Sequence, residues 1–294
     1  MSAALEITRA GPLVSIQDAG RFSALRHGVA ASGPMDRAAF AAAGAALPAR
    51  GTAGLEFTAA GLAFTLAGGP TLIGFAGGAF AITRNGSPLP WPGHARLAPG
   101  DRIAIAPGPS GNYGYLRLDR EILVPPLMGS RATNLTIGLG GFAGRALAPG
   151  DSVPLGPACA PEPAKPVPPA PADGPIRILW GLHADRFPAA LRTRFLEADF
   201  TVSRRLDRMG VRLDDGEGVF AGAAILSLVS DAIVPGDIQI LGDGTPIVLM
   251  ADHQPTGGYP RIATIISADR DRFAQLRPGT PVRFRSVTLD RARP

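Results

Sequence analysis

In Leu97-Ala98-Pro99-Gly100-Asp101-Arg102-Ile103-Ala104-Ile105, a turn runs directly into a stretch of alternating polar and apolar residues. Proline presets the backbone angle of one turn position and glycine accepts the unusual angle of the next, so the pair predicts a tight turn before a strand. The same order returns at Leu147-Ala148-Pro149-Gly150-Asp151 and, with arginine replacing alanine and threonine replacing aspartate, at Leu276–Thr280. The repetition indicates either an internal duplication or the reuse of a common turn.

The rest of the chain favours short strands and few helices. Gly61–Leu66 and Val282–Arg285 alternate as strands do. Glycine and proline supply 38 and 30 of the 294 residues, and they interrupt the apolar runs at short intervals, as turn residues do. Only Asp36–Leu47 and Asp185–Glu197 have helical character. We therefore predict a mainly β protein with a few short helices and closed or rolled sheets.

Composition excludes several classes of function. The single cysteine, Cys159, excludes a disulfide framework and a multi-thiolate metal site, and the four histidines lack metal-ligand spacing. The formal net charge is +5, but the basic residues are dispersed among acids, so no nucleic-acid partner is expected. No apolar run has the length of a membrane helix, and the N-terminus lacks a signal-peptide pattern. We expect a soluble, cytoplasmic protein without a membrane partner.

A proline-rich segment predicts the domain organisation. Pro161–Pro171 holds six prolines in eleven residues, which favours an extended, semi-rigid spacer. We predict an N-terminal domain over residues 1–155, a linker over 156–175 and a C-terminal domain over 176–294.

Two polar, glycine-containing segments lie early in the chain. Ser15–Arg21 places an amide, a carboxylate and a guanidinium around a glycine, which suits either an anionic substrate or a turn fixed by an ion pair. Ala31–Asp36 precedes the first predicted helix, where its polar side chains suit either anion binding or helix capping. The candidate substrate-binding residues in these segments are Gln17, Asp18, Arg21, Ser32 and Asp36.

Two further polar segments lie in the second half. Ser203–Leu213 contains four arginines and an aspartate, which fit a carboxylate or phosphate site and fit an ion-paired, solvated face equally well. Asp252–Pro260 follows an apolar strand, and a polar, glycine-rich turn in that place often forms a site. There Asp252 could act as a base or orient a ligand. Gln254 and Tyr259 are candidate substrate-binding residues.

These segments belong to an ordered series of blocks that spans nearly the whole chain. The blocks are Ser15–Arg21, Gly28–Asp36, Leu55–Thr58, Gly129–Thr133, Gly140–Arg145 with Gly150-Asp151, Asp207–Leu213, Gly236–Gln239 and Asp252–Pro260. The series resembles the family called allophanate hydrolase subunit 2, or biotin-dependent carboxyltransferase-like, whose best-known function is that of the C component of 5-oxoprolinase. One departure is His253, which stands where the family often has arginine and is therefore not taken as catalytic.

The resemblance implies a fold, a reaction and partners. The fold is two tandem cyclophilin-like β-barrel domains. The reaction is the ATP-dependent opening of the 5-oxoproline lactam to L-glutamate, in which Arg131 or Arg208 could stabilise developing charge. With Asp252, these two are the candidate catalytic residues. The implied partners are a cyclophilin-like second subunit, of the type of the 5-oxoprolinase B component, and a lactam-utilisation third subunit, of the type of the A component.

Two other functions stay open. One is the carboxyltransferase half of a biotin-dependent urea or amide carboxylase, with carboxybiotin carried by a partner. The other is a non-catalytic regulator that binds a histidine-kinase inhibitor. In every case we expect the four polar segments to converge at one cavity or along one seam shared with another subunit. We also expect Arg208→Ala and Asp252→Ala to abolish activity with little change in melting temperature.

Overall fold

The computed structural model describes residues 2–161, 173–221 and 228–292, so most of the predicted linker lies outside the described residues. The chain forms two compact units. The first comprises residues 1–23 and 31–170, and the second comprises residues 24–30 and 171–294.

The first unit contains sheets of seven and five strands among its described residues. Its strands are β1 (Ala3–Ala10), β2 (Ser15–Gln17), β3 (Gly54–Thr58), β4 (Leu62–Gly68), β5 (Thr71–Gly77), β6 (Phe80–Arg84), β7 (Ser87–Leu89), β8 (Gly93–Leu97), β9 (Arg102–Pro107), β10 (Tyr113–Leu118), β11 (Arg120–Ile122) and β12 (Ser152–Ala158). The larger sheet has the order β11-β12-β1-β4-β9-β6-β7, and the smaller has the order β2-β3-β10-β5-β8. Apolar side chains from both sheets form one core, which includes Leu5, Phe57, Phe64 and Leu116.

One α-helix, α1 (Arg37–Ala45), packs on the smaller sheet against β5 and β10. It begins where the sequence predicts, because the Asp36 side chain accepts a hydrogen bond of 2.8 Å from the N–H of Ala39. Phe40 and Ala43 face the sheet side and are buried. Asp36 therefore caps this helix.

The three repeated turns share one local geometry. Gly100, Gly150 and Gly279 have φ angles of 89°, 94° and 86°, and each donates its N–H to a neighbouring strand. In the first two turns the aspartate after the glycine, Asp101 or Asp151, also accepts a 2.7 Å bond from the N–H three residues earlier. The recurring sequence thus encodes the same turn in both units.

The stability that Asp151 gives to one of these turns depends on pH. Its carboxylate forms two 2.7 Å bonds with the Arg145 guanidinium, and this interaction lowers the pKa of Asp151. A lowered folded-state pKa adds stability above the unfolded value of about 3.9, and that stability is lost as pH falls through the folded value. We expect Asp151→Asn to be less stable than the parent at pH 7, and we expect the difference to shrink as the pH falls through the folded-state pKa of Asp151. Urea unfolding at pH 7 and at a series of lower pH values measures this, and a constant difference would contradict it.

The second unit contains a sheet of eight strands and a two-stranded sheet among its described residues. Its strands are β13 (Ile176–Trp180), β14 (Phe200–Leu206), β15 (Gly210–Asp214), β16 (Asp231–Ala232), β17 (Asp237–Ile240), β18 (Pro246–Leu249), β19 (Thr256–Gly257), β20 (Arg261–Ile265), β21 (Pro281–Val282) and β22 (Phe284–Ser286). The large sheet has the order β21-β14-β15-β18-β17-β20-β13-β22, and β16 pairs with β19.

Three α-helices are described in this unit, α2 (Ala189–Glu197), α3 (Ser267–Ala274) and α4 (Leu289–Ala292). Phe195 of α2 is fully buried, and its ring lies 5.0 Å from that of Phe284 and 5.5 Å from that of Phe200. This aromatic cluster fixes α2 to the large sheet.

Three sequence predictions in this unit need correction. The helix predicted over Asp185–Glu197 begins only at Ala189, because Pro188 holds the preceding residue in an extended conformation. The strand predicted over Val282–Arg285 is divided into β21 and β22, which pair with different strands. Helices α3 and α4 were not predicted, since they are short and mostly polar.

Both units are mainly β with few short helices, which confirms the predicted fold class. Among the described residues, no helix combines the length and apolar character that a membrane crossing requires.

Candidate functional site

Asp18 is the centre of a buried polar cluster in the first unit. Its carboxylate accepts 2.6 Å bonds from the Ser130 hydroxyl and from the N–H of Arg131, and a 2.9 Å bond from the N–H of Gly20. The Asp18 residue is 8% exposed. Its carboxylate therefore connects the first polar segment to the Gly129–Thr133 block, 112 residues later in the chain.

Arg21 extends this cluster to the second polar segment. Its guanidinium donates to the carbonyl of Ala132 and, at 3.1 Å, to the Ser32 hydroxyl. Arg21 is almost fully buried. A Cβ on Gly140 would lie 2.7 Å from Arg21 Nη2, so glycine at this position makes room for the guanidinium.

Gln17 completes the connection. Its amide nitrogen donates to the carbonyl of Thr133 at 3.0 Å, and its amide oxygen accepts from the N–H of Gly33 at 3.2 Å. Gln17 is fully buried. The first polar segment, the second and the Gly129–Thr133 block thus form one arrangement, which we call the N-terminal cluster.

A second buried network in the same unit was not predicted. The carboxylate of Glu56, which is fully buried, accepts from the N–H of Met35 at 2.8 Å and from the Tyr115 hydroxyl at 2.9 Å. The Tyr115 oxygen in turn accepts from the N–H of Asp36 at 2.7 Å. Burial, together with the neighbouring carboxylates, raises the pKa of Tyr115 well above its ordinary value. The network holds the second polar segment against the sheet.

Sheet register explains how these residues meet. Strand β3 lies between β2 and β10, and Glu56 is the register partner of Ser15 on one side and of Tyr115 on the other. The sequence signal that could have marked this position is a glutamate between two large apolar residues, Leu55 and Phe57, which are buried. In a strand the side chain of Glu56 points to the face opposite theirs, where a polar network can surround it.

Arg131 and Ser32 are the polar side chains of the N-terminal cluster that reach the surface. The Arg131 side chain is 25% exposed, donates to the carbonyl of Val124 at 3.0 Å and lies 4.0 Å from a Glu121 oxygen. Ser32 is half-buried and has a φ of 57°, an angle uncommon for a residue with a side chain. These two side chains can contact a ligand without displacing the buried hydrogen bonds.

In the second unit, Arg208 and Asp252 face each other. Their side chains form a bidentate ion pair, with Nε 2.9 Å from Oδ2 and Nη2 3.1 Å from Oδ1. The N–H of Asp252 also donates to the carbonyl of Arg208 at 2.8 Å. Both side chains are at most 1% exposed, so the two opposite charges lie together away from solvent. The third and fourth polar segments therefore meet at this pair, and a catalytic role for either residue stays a prediction.

The other predicted residues of this loop are more accessible. Gln254 is half-buried, and Tyr259 is 40% exposed. The neighbouring His253 is enclosed, with Nδ1 2.5 Å from the carbonyl oxygen of Gln254, and burial lowers the pKa of its imidazole. Of the candidate residues predicted in this loop, Tyr259 and Gln254 are therefore the two that a ligand can reach.

A further network near this loop was not predicted. Arg261 is 8% exposed and forms ion pairs with Asp231 at 2.6 Å and Asp237 at 3.5 Å. Asp237 also accepts from the Thr264 hydroxyl at 2.6 Å, and the buried Gln239 amide donates to the carbonyl of Tyr259 at 3.4 Å. The Gly236–Gln239 block was visible in the sequence, but its pairing with Arg261 depends on the sheet.

The four polar segments therefore gather as two sets. The first and second join the N-terminal cluster of the first unit, and the third and fourth meet at the Arg208–Asp252 pair of the second unit. Within the described parts of the chain, no group of three or more His, Cys, Asp or Glu side chains could hold a metal ion.

Comparisons with known proteins point to one family. The family described as carboxyltransferase domain, subdomain A and B, matches residues 27–286. The C component of 5-oxoprolinase from Escherichia coli (strain K12) is 34% identical over an alignment that covers 98% of this chain and 93% of that protein. The Haemophilus influenzae protein of the same name is 30% identical, with 95% and 89% covered.

A solved structure resembles the whole chain. The crystal structure of the K. lactis urea amidolyase matches with a TM-score of 0.86 and 26% sequence identity. The match covers 98% of this chain but only 19% of that one. The chain therefore spans nearly the full length of the two 5-oxoprolinase relatives and about a fifth of the urea amidolyase.

Proposed function

Because the chain belongs to the family of carboxyltransferase domains with subdomains A and B, we propose that it is a subunit of an ATP-dependent 5-oxoprolinase. The observation that carries the proposal is the 34% identity to the C component of the E. coli enzyme across nearly the whole of both chains. The proposed reaction converts 5-oxo-L-proline, ATP and water to L-glutamate, ADP and phosphate. It requires two partners, one of the type of the B component and one of the type of the A component.

Burial divides the candidate site residues into two roles in this proposal. Arg131, Ser32, Gln254 and Tyr259 reach the surface and are the residues we assign to substrate contact. The enclosed candidates are assigned to positioning, because most of their side-chain polar atoms make hydrogen bonds within the unit that carries them. These residues are Gln17, Asp18, Arg21, Asp36, Arg208 and Asp252.

The chemistry explains why the complex would need ATP. A lactam carbonyl is a poor electrophile, and coupling to ATP supplies the activation that attack by water requires. In this proposal the guanidinium of Arg131, in the first unit, stabilises negative charge on a substrate oxygen. The Tyr259 hydroxyl, in the second unit, supplies a hydrogen-bond donor to a ligand of that unit.

A second candidate function is the carboxyltransferase half of a biotin-dependent urea or amide carboxylase. The TM-score of 0.86 to the K. lactis urea amidolyase favours it. In that case carboxybiotin would be carried by a partner, and the surface-reaching residues would contact the acceptor amide.

We expect the isolated chain not to hydrolyse 5-oxoproline and the complex of all three proteins to release ADP and glutamate in equal amounts. The co-expressed complex is assayed against 5-oxoproline, urea and related amides, with ADP and glutamate as readouts. Glutamate formation by the lone chain without ATP would refute the proposal. Turnover of urea but not of 5-oxoproline would favour the carboxylase.

Variants of the complex distinguish residues that contact the substrate from residues that only maintain the fold. Arg131→Ala and Tyr259→Phe should lower the rate while the melting temperature stays near that of the parent. Arg96→Ala with Arg102→Ala is the matched control, since both arginines are exposed strand residues outside the candidate site. An unchanged rate in both contact variants would contradict the assigned roles.

A further inference from the structure

His183 holds the end of the loop Asp252–Pro260, which we call the contact loop because it carries Gln254 and Tyr259. The N–H of His183 donates to the carbonyl of Arg261 at 3.2 Å, and its imidazole Nδ1 accepts from the N–H of Arg261 at 3.2 Å. Arg261 is the first residue of β20, directly after the loop. His183, which is half-buried, therefore engages both backbone polar groups of the residue where the contact loop ends.

The neighbouring backbone groups of the loop are held by partners that do not titrate. The carbonyl of Tyr259 accepts from the amide of Gln239 at 3.4 Å, and that of Pro260 accepts from the N–H of Ile240 at 3.1 Å. An amide keeps its hydrogens across the neutral pH range, whereas an imidazole changes its charge there. Of these three contacts, the one with His183 is therefore the one that depends on pH.

The geometry fixes the protonation state of the imidazole. A backbone N–H can only donate, so the Nδ1 that faces Arg261 has to be the unprotonated nitrogen of the ring. The neutral ring then carries its hydrogen on Nε2. A proton added to Nδ1 would set two donors against each other, and the hydrogen bond to Arg261 would be lost.

The surroundings of the imidazole also oppose its protonation. The charged groups that interact with it are Arg186, Arg261 in β20, Asp231 in β16 and Asp237 in β17. Burial, followed by the two arginines, lowers the pKa of His183 below its ordinary value of 6.5. The two aspartates act in the opposite direction, but both are already paired with Arg261. The ring is therefore neutral at neutral pH and gains its proton only in acid.

We propose that His183 is a positioning residue for the contact loop: its neutral imidazole holds the backbone at Arg261, and protonation releases the end of the loop that carries Tyr259. Because Tyr259 is two residues before Arg261, a change there displaces its hydroxyl from a bound ligand. Ligand binding by the loop should therefore weaken in acid. The contact between Tyr259 and substrate rests on the proposed function, whereas the hold on the loop rests on the geometry of the second unit.

The hold is tested on the isolated chain by nitrogen NMR of the imidazole rings and by amide hydrogen exchange. The chain has four histidines, so the signals of His183 are assigned by their loss in His183→Asn. Near neutral pH we expect the hydrogen of this ring on Nε2. In acid we expect residues 254–261 to exchange faster in the parent than in His183→Asn at the same pH. A hydrogen on Nδ1 near neutral pH, or equal exchange at every pH, would overturn the hold.

Kinetics of the three-protein complex with 5-oxoproline test the consequence for binding. Asparagine places an amide oxygen where Nδ1 lies and does not titrate, so His183→Asn should lose the rise in KM that the parent shows in acid. His183→Ala removes the acceptor, so its KM near neutral pH should rise about fivefold, the size of one neutral hydrogen bond, with a smaller change in kcat. His94→Ala, which removes an exposed histidine from the first unit, should follow the parent.

The outcomes separate this role from the proposed reaction. An equal rise of KM in acid in the parent and in His183→Asn would overturn the role, and so would a fall in kcat at constant KM in His183→Ala. An active complex in which His183→Ala changes neither KM nor exchange would overturn the positioning role alone. The expected exchange pattern, in a chain whose complex hydrolyses none of the amides, would support the hold and overturn the proposed reaction alone.

Discussion

Asp252→Ala is expected to lower the unfolding temperature by about 10 °C. The carboxylate is fully buried and holds Arg208 through two hydrogen bonds of 2.9 and 3.1 Å. Removing it leaves a guanidinium enclosed without its counter-ion, which costs about 3–5 kcal/mol in other buried pairs. At roughly 2–4 °C per kcal/mol for a chain of this size class, that loss gives the expected shift. Arg208→Ala should have a similar effect, because it leaves the buried Asp252 carboxylate without this counter-ion. Calorimetry measures both.

Two comparisons make this result specific. Replacing both partners by apolar residues, Arg208→Met with Asp252→Leu, should recover part of the stability because no buried charge is left unpaired. Arg283→Ala removes an exposed pair with Asp199, 59% and 47% exposed, and should leave the unfolding temperature almost unchanged. Single variants that keep the parent stability but lose complex activity would contradict the positioning role. They would instead support the sequence-based expectation that the pair acts directly on substrate.

Features that depend on neighbouring residues could be predicted from the sequence. The Pro-Gly turns and the cap of α1 each require only a few consecutive residues, and the structure has them where the patterns predict. Alternation likewise located β4 and β9, because a strand with one buried face shows it directly. The predicted start of α2 is wrong, because the helical spacing of Phe187, Leu191 and Phe195 suggests one helix through Pro188, whereas the helix begins only after this proline.

Features that depend on pairing between residues far apart in the chain could not be predicted from the sequence. Arg208 and Asp252 are 44 residues apart, and Glu56 and Tyr115 are 59 residues apart. Each pair forms because strands that are separated in the sequence become neighbours in a sheet. Polar residues in glycine-rich loops also look alike in a sequence whether they end up buried, as Asp18 does, or exposed, as Tyr259 does. The candidate residues were therefore found, but their division into contact and positioning roles required the fold.

The N-terminal cluster should respond to Asp18→Ala by losing about 3 kcal/mol of unfolding free energy and by loosening the Gly129–Thr133 block. The carboxylate accepts from the buried hydroxyl of Ser130 and from the N–H of Arg131, and hydrogen bonds to a charged group contribute about 1.5–3 kcal/mol each. Without it, both donors are left in a site that water reaches poorly. Urea unfolding measures the free energy, and amide hydrogen exchange reports the block.

A graded series tests whether the charge or only the shape of Asp18 matters. Asp18→Asn keeps one acceptor oxygen but places an amide against donors, so its stability should fall between those of the parent and Asp18→Ala. Asp173→Ala, which removes an exposed carboxylate, should change neither quantity. Exchange should rise at residues 129–133 and stay slow in β5 and β10, because the apolar core beneath them does not depend on Asp18. Uniformly faster exchange across the unit would contradict a local role and would make Asp18 a support of the whole domain. Unchanged exchange in the block would show that its conformation does not depend on this carboxylate.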